Sequence, residues 1–169
     1  MDDVSADENP GEVVAEDVQD REKRFPPVIA GLDTTTVYRV LELIDVAVPL
    51  PSQFAEVHLS EAEAPYRSLS FPIGLAEGAA VALAMQRGTG PRPTTHELFS
   101  EVLRRSNVDV IAMRIIDSVG GALHAELDLM TTRGRETVGC RPSDGLILCL
   151  RQLVPAPILV AEPLLEELA

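Results

Sequence analysis

The sequence contains no tryptophan, two cysteines and a single lysine, Lys23. Aromatic residues make up 4% of the 169 residues and hydrophobic residues 46%, so a core has to be built from Leu, Val, Ile and Ala. Two cysteines, Cys140 and Cys149, are too few for a disulfide framework or a cysteine-based zinc site. No apolar run reaches the roughly 18 residues that a membrane helix needs, and the start lacks the pattern of a signal peptide. We therefore expect a reduced, cytoplasmic protein without a membrane segment.

Acidic residues outnumber basic ones, which gives a net charge of −13. Residues 1–24 hold nine acidic and three basic residues, so this stretch alone contributes −6. It is also poor in large apolar residues, and we predict that it is a disordered tail because it cannot bury enough surface to offset the entropy of ordering. Residues 25–169 have the length of a single domain. The acidity of this body argues against avid nonspecific binding to nucleic acid.

The pattern of apolar residues predicts an α+β domain with an antiparallel or mixed sheet and three to four helices. The segment near residues 142–152 is apolar on every side, which indicates a buried central helix. Alternation over residues 122–130 predicts a strand with one face in water, carrying His124, Glu126 and Asp128. The other predicted strands are residues 36–48, 55–59 and 66–73, which form a meander, and 108–117, 135–140 and 158–160; the other predicted helices are residues 74–87, 94–105 and a terminal helix from Pro163.

Two of the predicted helices begin alike, with RPT at residues 92–94 and RPSD at residues 141–144. In each, proline fixes the entry into the helix and a hydroxyl residue can cap it. The arginine lies where an anion attracted to a helix N-terminus would sit. The residues predicted to hold phosphate are therefore Arg92, Arg141, Thr94 and Ser143. The alternative is that each arginine pairs with a local acid, for example Arg141 with Asp144.

Several segments together resemble the bifunctional nuclease domain family. They are PIG at residues 72–74 followed by Glu77, RPTTHELF at 92–99, RPSDGLILCLR at 141–151 and VPAPILVAEPLLEE at 154–167. The resemblance runs from Phe71 to Leu168, and residues 36–50 are similar to the opening strand of the family. It implies an α+β domain and, as in some members of the family, cleavage of both RNA and DNA. The chain departs from the family at Gly145, where alanine is usual.

Phosphodiester hydrolysis needs an activated water, neutralisation of charge on the phosphate and a proton for the leaving oxygen. With the resemblance in hand, Glu77, His96 and Asp144 are the candidate catalytic residues, each beside a helix start. In this hypothesis Asp144 and Glu77 hold a divalent metal such as Mg²⁺ or Mn²⁺, and His96 acts as acid or base. RNA or DNA is then the substrate, bound weakly.

Each of these residues also has a structural interpretation. Glu77 can complement the dipole of its own helix, His96 can bond a backbone carbonyl, and Asp144 can hold Arg141 in place. Glu97 is predicted to close a capping box with Thr94. His58 and His124 are predicted to face solvent, and Asp117 to end a strand before a turn.

Two other functions remain open from the sequence. One is a non-catalytic regulatory module in which the arginines bind an anion or the carboxylate of a partner. The other is a structural role, with the arginines in internal salt bridges and the function on an oligomer surface. Exposed sheet edges favour a homo-oligomer in either case.

Overall fold

The computed structural model describes residues 36–168, so the predicted tail at residues 1–24 lies outside the described residues. The strands are β1 (Tyr38–Ala47), β2 (Phe54–Glu61), β3 (Ser68–Gly74), β4 (Asp109–Val119), β5 (Ala122–Thr131), β6 (Gly134–Cys140) and β7 (Ile158–Ala161). The helices are α1 (Leu75–Met85), α2 (Thr95–Arg105), α3 (Pro142–Leu150) and α4 (Glu162–Leu168). Together they confirm the predicted α+β class.

One mixed sheet holds all seven of these strands, in the order β3-β2-β1-β7-β4-β5-β6. Every neighbouring pair is antiparallel except β4 and β7. The predicted meander of three strands is present as β1, β2 and β3. The hairpin of β4 and β5 turns at Gly120 and Gly121, which both have positive φ, a conformation that glycine adopts without strain.

The apolar residues of the sheet pack beneath a layer of helices. In β2 and β3 every second residue is buried, so only one face of this part of the sheet meets the core. Helix α3 lies in the middle, against α1, α2, β4 and β5. Its residues 145–149 are all buried, which confirms the predicted central helix, although the helix ends at Leu150 rather than near residue 152.

Two glycines let the helices approach the sheet closely. A Cβ on Gly78 of α1 would overlap the side chain of Ala55 on β2. A Cβ on Gly145 of α3 would overlap the side chain of Met113 on β4. Close packing of both helices therefore depends on the absence of a side chain at Gly78 and Gly145. This packing against the sheet fixes the starts of α1 and α3 relative to each other.

One sequence prediction about the sheet is wrong. Glu126 and Asp128, predicted to face water, are buried, and Asp128 has no exposed surface at all. His124 on the same strand is exposed, as predicted. Alternation identifies the face of a strand correctly, but it does not reveal whether neighbouring strands supply charged partners that cover that face.

The partners come from β4, β6 and β1. Arg114 makes two hydrogen bonds to the carboxylate of Asp128, at 2.9 and 3.1 Å, and an ion pair with Glu126 at 2.8 Å. Arg135 and Thr137 of β6 donate to the same Asp128 carboxylate at 2.6 and 3.0 Å. The guanidinium of Arg114 also lies 5.7 Å from the centre of the Tyr38 ring. Each buried charge thus has a partner of opposite sign, the condition under which a protein tolerates it.

This buried cluster predicts a large loss of stability when Asp128 is replaced by alanine. Removing the carboxylate leaves Arg114 buried without its main partner, which costs about 3–5 kcal/mol of unfolding free energy. Urea denaturation followed by circular dichroism measures the change. The matched control is Asp109→Ala, because Asp109 is an exposed aspartate on the neighbouring strand β4; its effect should stay within about 0.5 kcal/mol. Equal effects of the two substitutions would contradict the role assigned to the cluster.

Candidate active site

Glu77 joins the starts of two helices. Its Oε2 accepts a hydrogen bond from the backbone N–H of Gly74 at 2.8 Å, which satisfies a donor that the start of α1 leaves unpaired. Its Oε1 accepts a hydrogen bond from Ser143 Oγ, in the first turn of α3, at 3.1 Å. The same carboxylate therefore caps its own helix and reaches the second helix start.

Arg141 lies between two carboxylates. Its Nη1 is 2.6 Å from Glu77 Oε1. Its Nε and Nη2 lie 2.8 and 3.2 Å from the two oxygens of Asp144. These contacts use three of the five N–H groups of a guanidinium. Because 67% of the side chain remains exposed, the other two N–H groups can contact an anion from solvent.

His96 is brought to the same place by α2. Its Nε2 lies 3.1 Å from Asp144 Oδ1. An ionised carboxylate can only accept, so Nε2 is the nitrogen that carries hydrogen, and Nδ1 can act as an acceptor whenever it carries no proton. A carboxylate that holds one nitrogen of an imidazole while the other is free is the arrangement of a general base.

The pKa of Asp144 reflects two opposed effects. Burial is the largest and raises the pKa, but the hydrogen bonds and charges of Arg141 and His96 together outweigh it, so the net pKa is lowered. The pKa of Arg141 is raised, mainly by its hydrogen bond to Asp144. Both groups are therefore charged at neutral pH, and Asp144 can hold the imidazole of His96 without taking its proton.

Neither cysteine is a nucleophile at neutral pH. Burial and the nearby charge of Asp144 raise the pKa of Cys140 to about 12. Burial likewise raises the pKa of Cys149 in α3 to about 12. Reactive cysteines have lowered pKa values and some exposure, so these two are packing residues.

Two of the residues predicted to bind phosphate make no hydrogen bond or ion pair with this group. Arg92 is exposed and makes no hydrogen bond or ion pair with any residue of the described chain. Thr94 caps α2: its Oγ1 accepts from the backbone N–H of Glu97 at 3.4 Å, and Glu97 Oε2 accepts from the backbone N–H of Thr94 at 2.7 Å. The predicted capping box is confirmed, and Glu97 also pairs with Arg151 at 3.1 Å. Hydrogen bonds and ion pairs thus link Glu77, His96, Arg141, Ser143 and Asp144, but none links Arg92 or Thr94 to them.

The other candidates from the sequence have local roles. His58 is half-buried, with its Nδ1 2.8 Å from Ser70 Oγ, so its predicted exposure is only partial. Asp117 accepts a hydrogen bond from the backbone N–H of Ser118, as expected of an aspartate near a turn. Neither residue contacts the group around Arg141.

The donor set around Arg141 does not fit a divalent metal in this arrangement. Every carboxylate oxygen of Glu77 and Asp144 already accepts a hydrogen bond, and the cation between the two carboxylates is the guanidinium of Arg141. Within residues 36–168 no three His, Cys, Asp or Glu side chains come together as a metal site. A metal on both Glu77 and Asp144 would have to displace Arg141 from its place between them.

A cavity of about 350 Å³ opens beside this group. Glu77, Arg141 and Ser143 lie at its polar end. Its apolar walls come from Phe54 and Phe71 and from the β4–β5 turn at residues 121–123. The start of β2 and the β4–β5 turn are far apart in the sequence, and no sequence motif indicates that they meet. The order of strands in the sheet places both of them beside α1 and α3.

Comparison with known proteins places the chain in a family. Residues 57–169, more than half of the chain, match the family described as Bifunctional nuclease domain. Two proteins of Mycobacterium tuberculosis, from strains CDC 1551 / Oshkosh and ATCC 25618 / H37Rv, are each 33% identical over 127 residues. The match covers 75% of this chain and 74% of each relative, and both relatives are described only as uncharacterized proteins. The chain belongs to the bifunctional nuclease domain family, as its motifs indicate.

The electrostatics of the group predict how Asp144 responds to loss of Arg141. In Arg141→Ala the hydrogen bonds from Arg141 that lower the pKa of Asp144 are removed, while burial and the hydrogen bond from His96 remain, so its pKa should rise. A group with a lowered pKa stabilises the fold above its unfolded pKa and loses that effect as pH falls through the folded pKa, so this loss should begin at higher pH in the variant. Carboxyl carbon shifts followed by NMR titration measure the change.

The control for this titration is Arg133→Ala, because the Arg133 side chain is exposed and, among residues 36–168, pairs only with nearby Glu136. It should leave the titration of Asp144 as it is in the unmodified protein. An unchanged Asp144 titration in Arg141→Ala would mean that the observed pairing does not govern the carboxylate.

Proposed function

We propose that the protein is a nuclease that hydrolyses phosphodiester bonds of RNA and DNA. The observation that carries the proposal is the His96–Asp144–Arg141 arrangement, found in a chain of the bifunctional nuclease domain family. It combines a candidate base, the carboxylate that orients it and an exposed cation, side by side. Those are the groups that attack on a phosphodiester requires.

The proposed mechanism starts from Arg141. Its two unused N–H groups bind non-bridging oxygens of the phosphate and stabilise the charge that develops there. His96 Nδ1 takes a proton from the attacking water, while Asp144 holds Nε2–H and stabilises the imidazolium that forms. The oxygen of water bonds to phosphorus, the bond to the leaving sugar oxygen breaks, and that oxygen takes a proton from the imidazolium or from solvent.

The choice of water as nucleophile explains a substrate range that includes both nucleic acids. Self-cleavage of RNA uses the 2′-hydroxyl, which DNA lacks. A water activated by His96 needs no group on the sugar, so the same residues serve both substrates. In this proposal Glu77 is a positioning residue that holds Arg141 from the side opposite Asp144.

Assistance by Mg²⁺ or Mn²⁺ stays a prediction. Arg141 already supplies positive charge between the two carboxylates, so the geometry gives metal-independent action a physical basis. An assay run with Mg²⁺, with Mn²⁺ and with EDTA separates the two cases. Phosphate binding by Arg92 and Thr94 also stays a prediction.

Two further predictions from the sequence concern the location of the protein in the cell and its oligomeric state. Within residues 36–168 no helix has the length and apolarity to cross a bilayer; a cytoplasmic location stays a prediction. A homo-oligomer is also untested. Helix α2 buries none of its residues and exposes Leu98, Phe99 and Val102, so this stripe is the surface on which we propose that a second copy packs.

The test of the proposed function is cleavage of end-labelled single-stranded RNA and DNA by purified protein and its variants. His96→Ala should lower the rate by about 10²–10⁴-fold, because it removes the general base. Arg141→Ala should lower it by about 10²–10³-fold, because it removes a donor to the charge on the phosphate. The control Arg133→Ala should keep the full rate, and thermal melting should verify that each variant is folded.

Two outcomes would count against the proposal. Equal cleavage by the unmodified protein and folded His96→Ala would mean that the activity comes from another site or a contaminant. Binding of oligonucleotides that depends on Arg141 but leads to no turnover would favour the alternative, a non-catalytic anion-binding module.

A further inference from the structure

The cavity beside Arg141 has an apolar end that the proposed mechanism does not use. Phe54 lies at the start of β2 and has 60% of its surface exposed, which is unusual for a phenylalanine beside a cavity. Its cross-strand partner on β3 is Gly74, which has no side chain to cover the ring. An open aromatic face of this kind is a platform on which a planar ring can stack.

The polar end of the same cavity has one cation. Arg141 lines it and keeps two N–H groups free, while Glu77 and Ser143 are already bonded to each other. A ligand that suits the cavity therefore has a planar apolar part and, beside it, one negative charge. Of the components of nucleic acid, a nucleotide with an unpaired base has this form, and the volume of about 350 Å³ exceeds what one base requires.

The net charge of the protein favours the same ligand. A net charge of −13 works against affinity gained by neutralising many phosphates, as basic nucleic-acid-binding proteins do. Stacking of a base on an aromatic side chain does not depend on net charge and tolerates any base. A base in a duplex is already stacked and paired, so entry into the cavity is open only to single strands.

We propose that this cavity is a base-binding subsite: it takes one unpaired nucleobase of single-stranded RNA or DNA against Phe54, with the adjoining phosphate on Arg141. The subsite rests on the proposed function for the identity of its ligand, but it concerns binding and not the chemical step. It makes the protein selective for single strands and indifferent to base identity.

The experiment measures binding of two fluorescent single-stranded trinucleotides at low salt by anisotropy, with gel analysis to verify that the probes stay intact. One probe has three bases, and the other has an abasic residue at its centre. In the unmodified protein the abasic probe should bind between about fivefold and a hundredfold more weakly, the range that loss of one stacked base produces.

Phe54→Ala should weaken binding of the complete probe by a similar factor and leave binding of the abasic probe nearly unchanged, because the base and the ring act as a pair. Phe54→Trp should restore binding of the complete probe. The matched control is Tyr66→Ala, since Tyr66 is a comparably exposed aromatic residue at the opposite end of the β2–β3 hairpin. This control should bind both probes as the unmodified protein does.

The outcomes separate the subsite from the catalytic proposal. Three results would each overturn the subsite. The losses of affinity caused by Phe54→Ala and by the abasic residue could add up, Tyr66→Ala could lower the affinity as much as Phe54→Ala does, or the complete probe could fail to bind. Cleavage that does not depend on Phe54 would leave the nuclease proposal intact and remove the subsite. Binding that depends on Phe54 without any cleavage would keep the subsite and remove the catalytic step.

Discussion

The candidate site depends on one interaction, the bridge that Arg141 makes between Glu77 and Asp144. Each carboxylate stands in the first turn of a different helix, where the helix dipole favours negative charge. Two such carboxylates close together would repel each other without a cation between them. Arg141 supplies that cation and still presents two N–H groups to solvent, so one side chain both stabilises the corner and gives it affinity for anions.

The fold provides the bridge through close packing at a distance from the site. Gly78 brings α1 against β2, and Gly145 brings α3 against β4. Helix α2 contacts the domain mainly at α3. The contacts of its side chains there are polar, His96 with Asp144 and Glu97 with Arg151. Formation of the proposed base therefore depends on how α2 sits against α3, and changes at the C-terminal end of α3 can affect His96 without touching it.

Local sequence signals predicted a large part of this architecture. The buried helix α3, the capping box of α2 and the three-stranded meander follow from apolar runs, capping residues and turns, all of which act within a few residues. The motifs likewise pointed to Glu77, His96, Arg141, Ser143 and Asp144, which the structure brings together. Repetition of Arg-Pro before a hydroxyl residue predicts an equal role for Arg92, but repetition in sequence does not fix which side chains meet, and Arg92 makes no ion pair with the group around Arg141.

What the sequence did not predict depends on contacts between strands far apart in the chain. The alternation of β5 predicts that Asp128 faces water, because charged residues on such a strand usually do, yet Arg114 and Arg135 cover it from both neighbouring strands. Phe54 had no signal as a site residue, because the sheet order alone sets it beside Arg141 and the β4–β5 turn. Pairings of this kind are set by the register of the whole sheet.

A crystal structure of the protein with a non-hydrolysable dinucleotide would show whether Arg141 receives the phosphate of the substrate. We expect a non-bridging phosphate oxygen within hydrogen-bond distance of the Arg141 guanidinium, with His96 Nδ1 facing the phosphorus. A dinucleotide bound elsewhere on the surface, with Arg141 in contact only with Glu77 and Asp144, would contradict it.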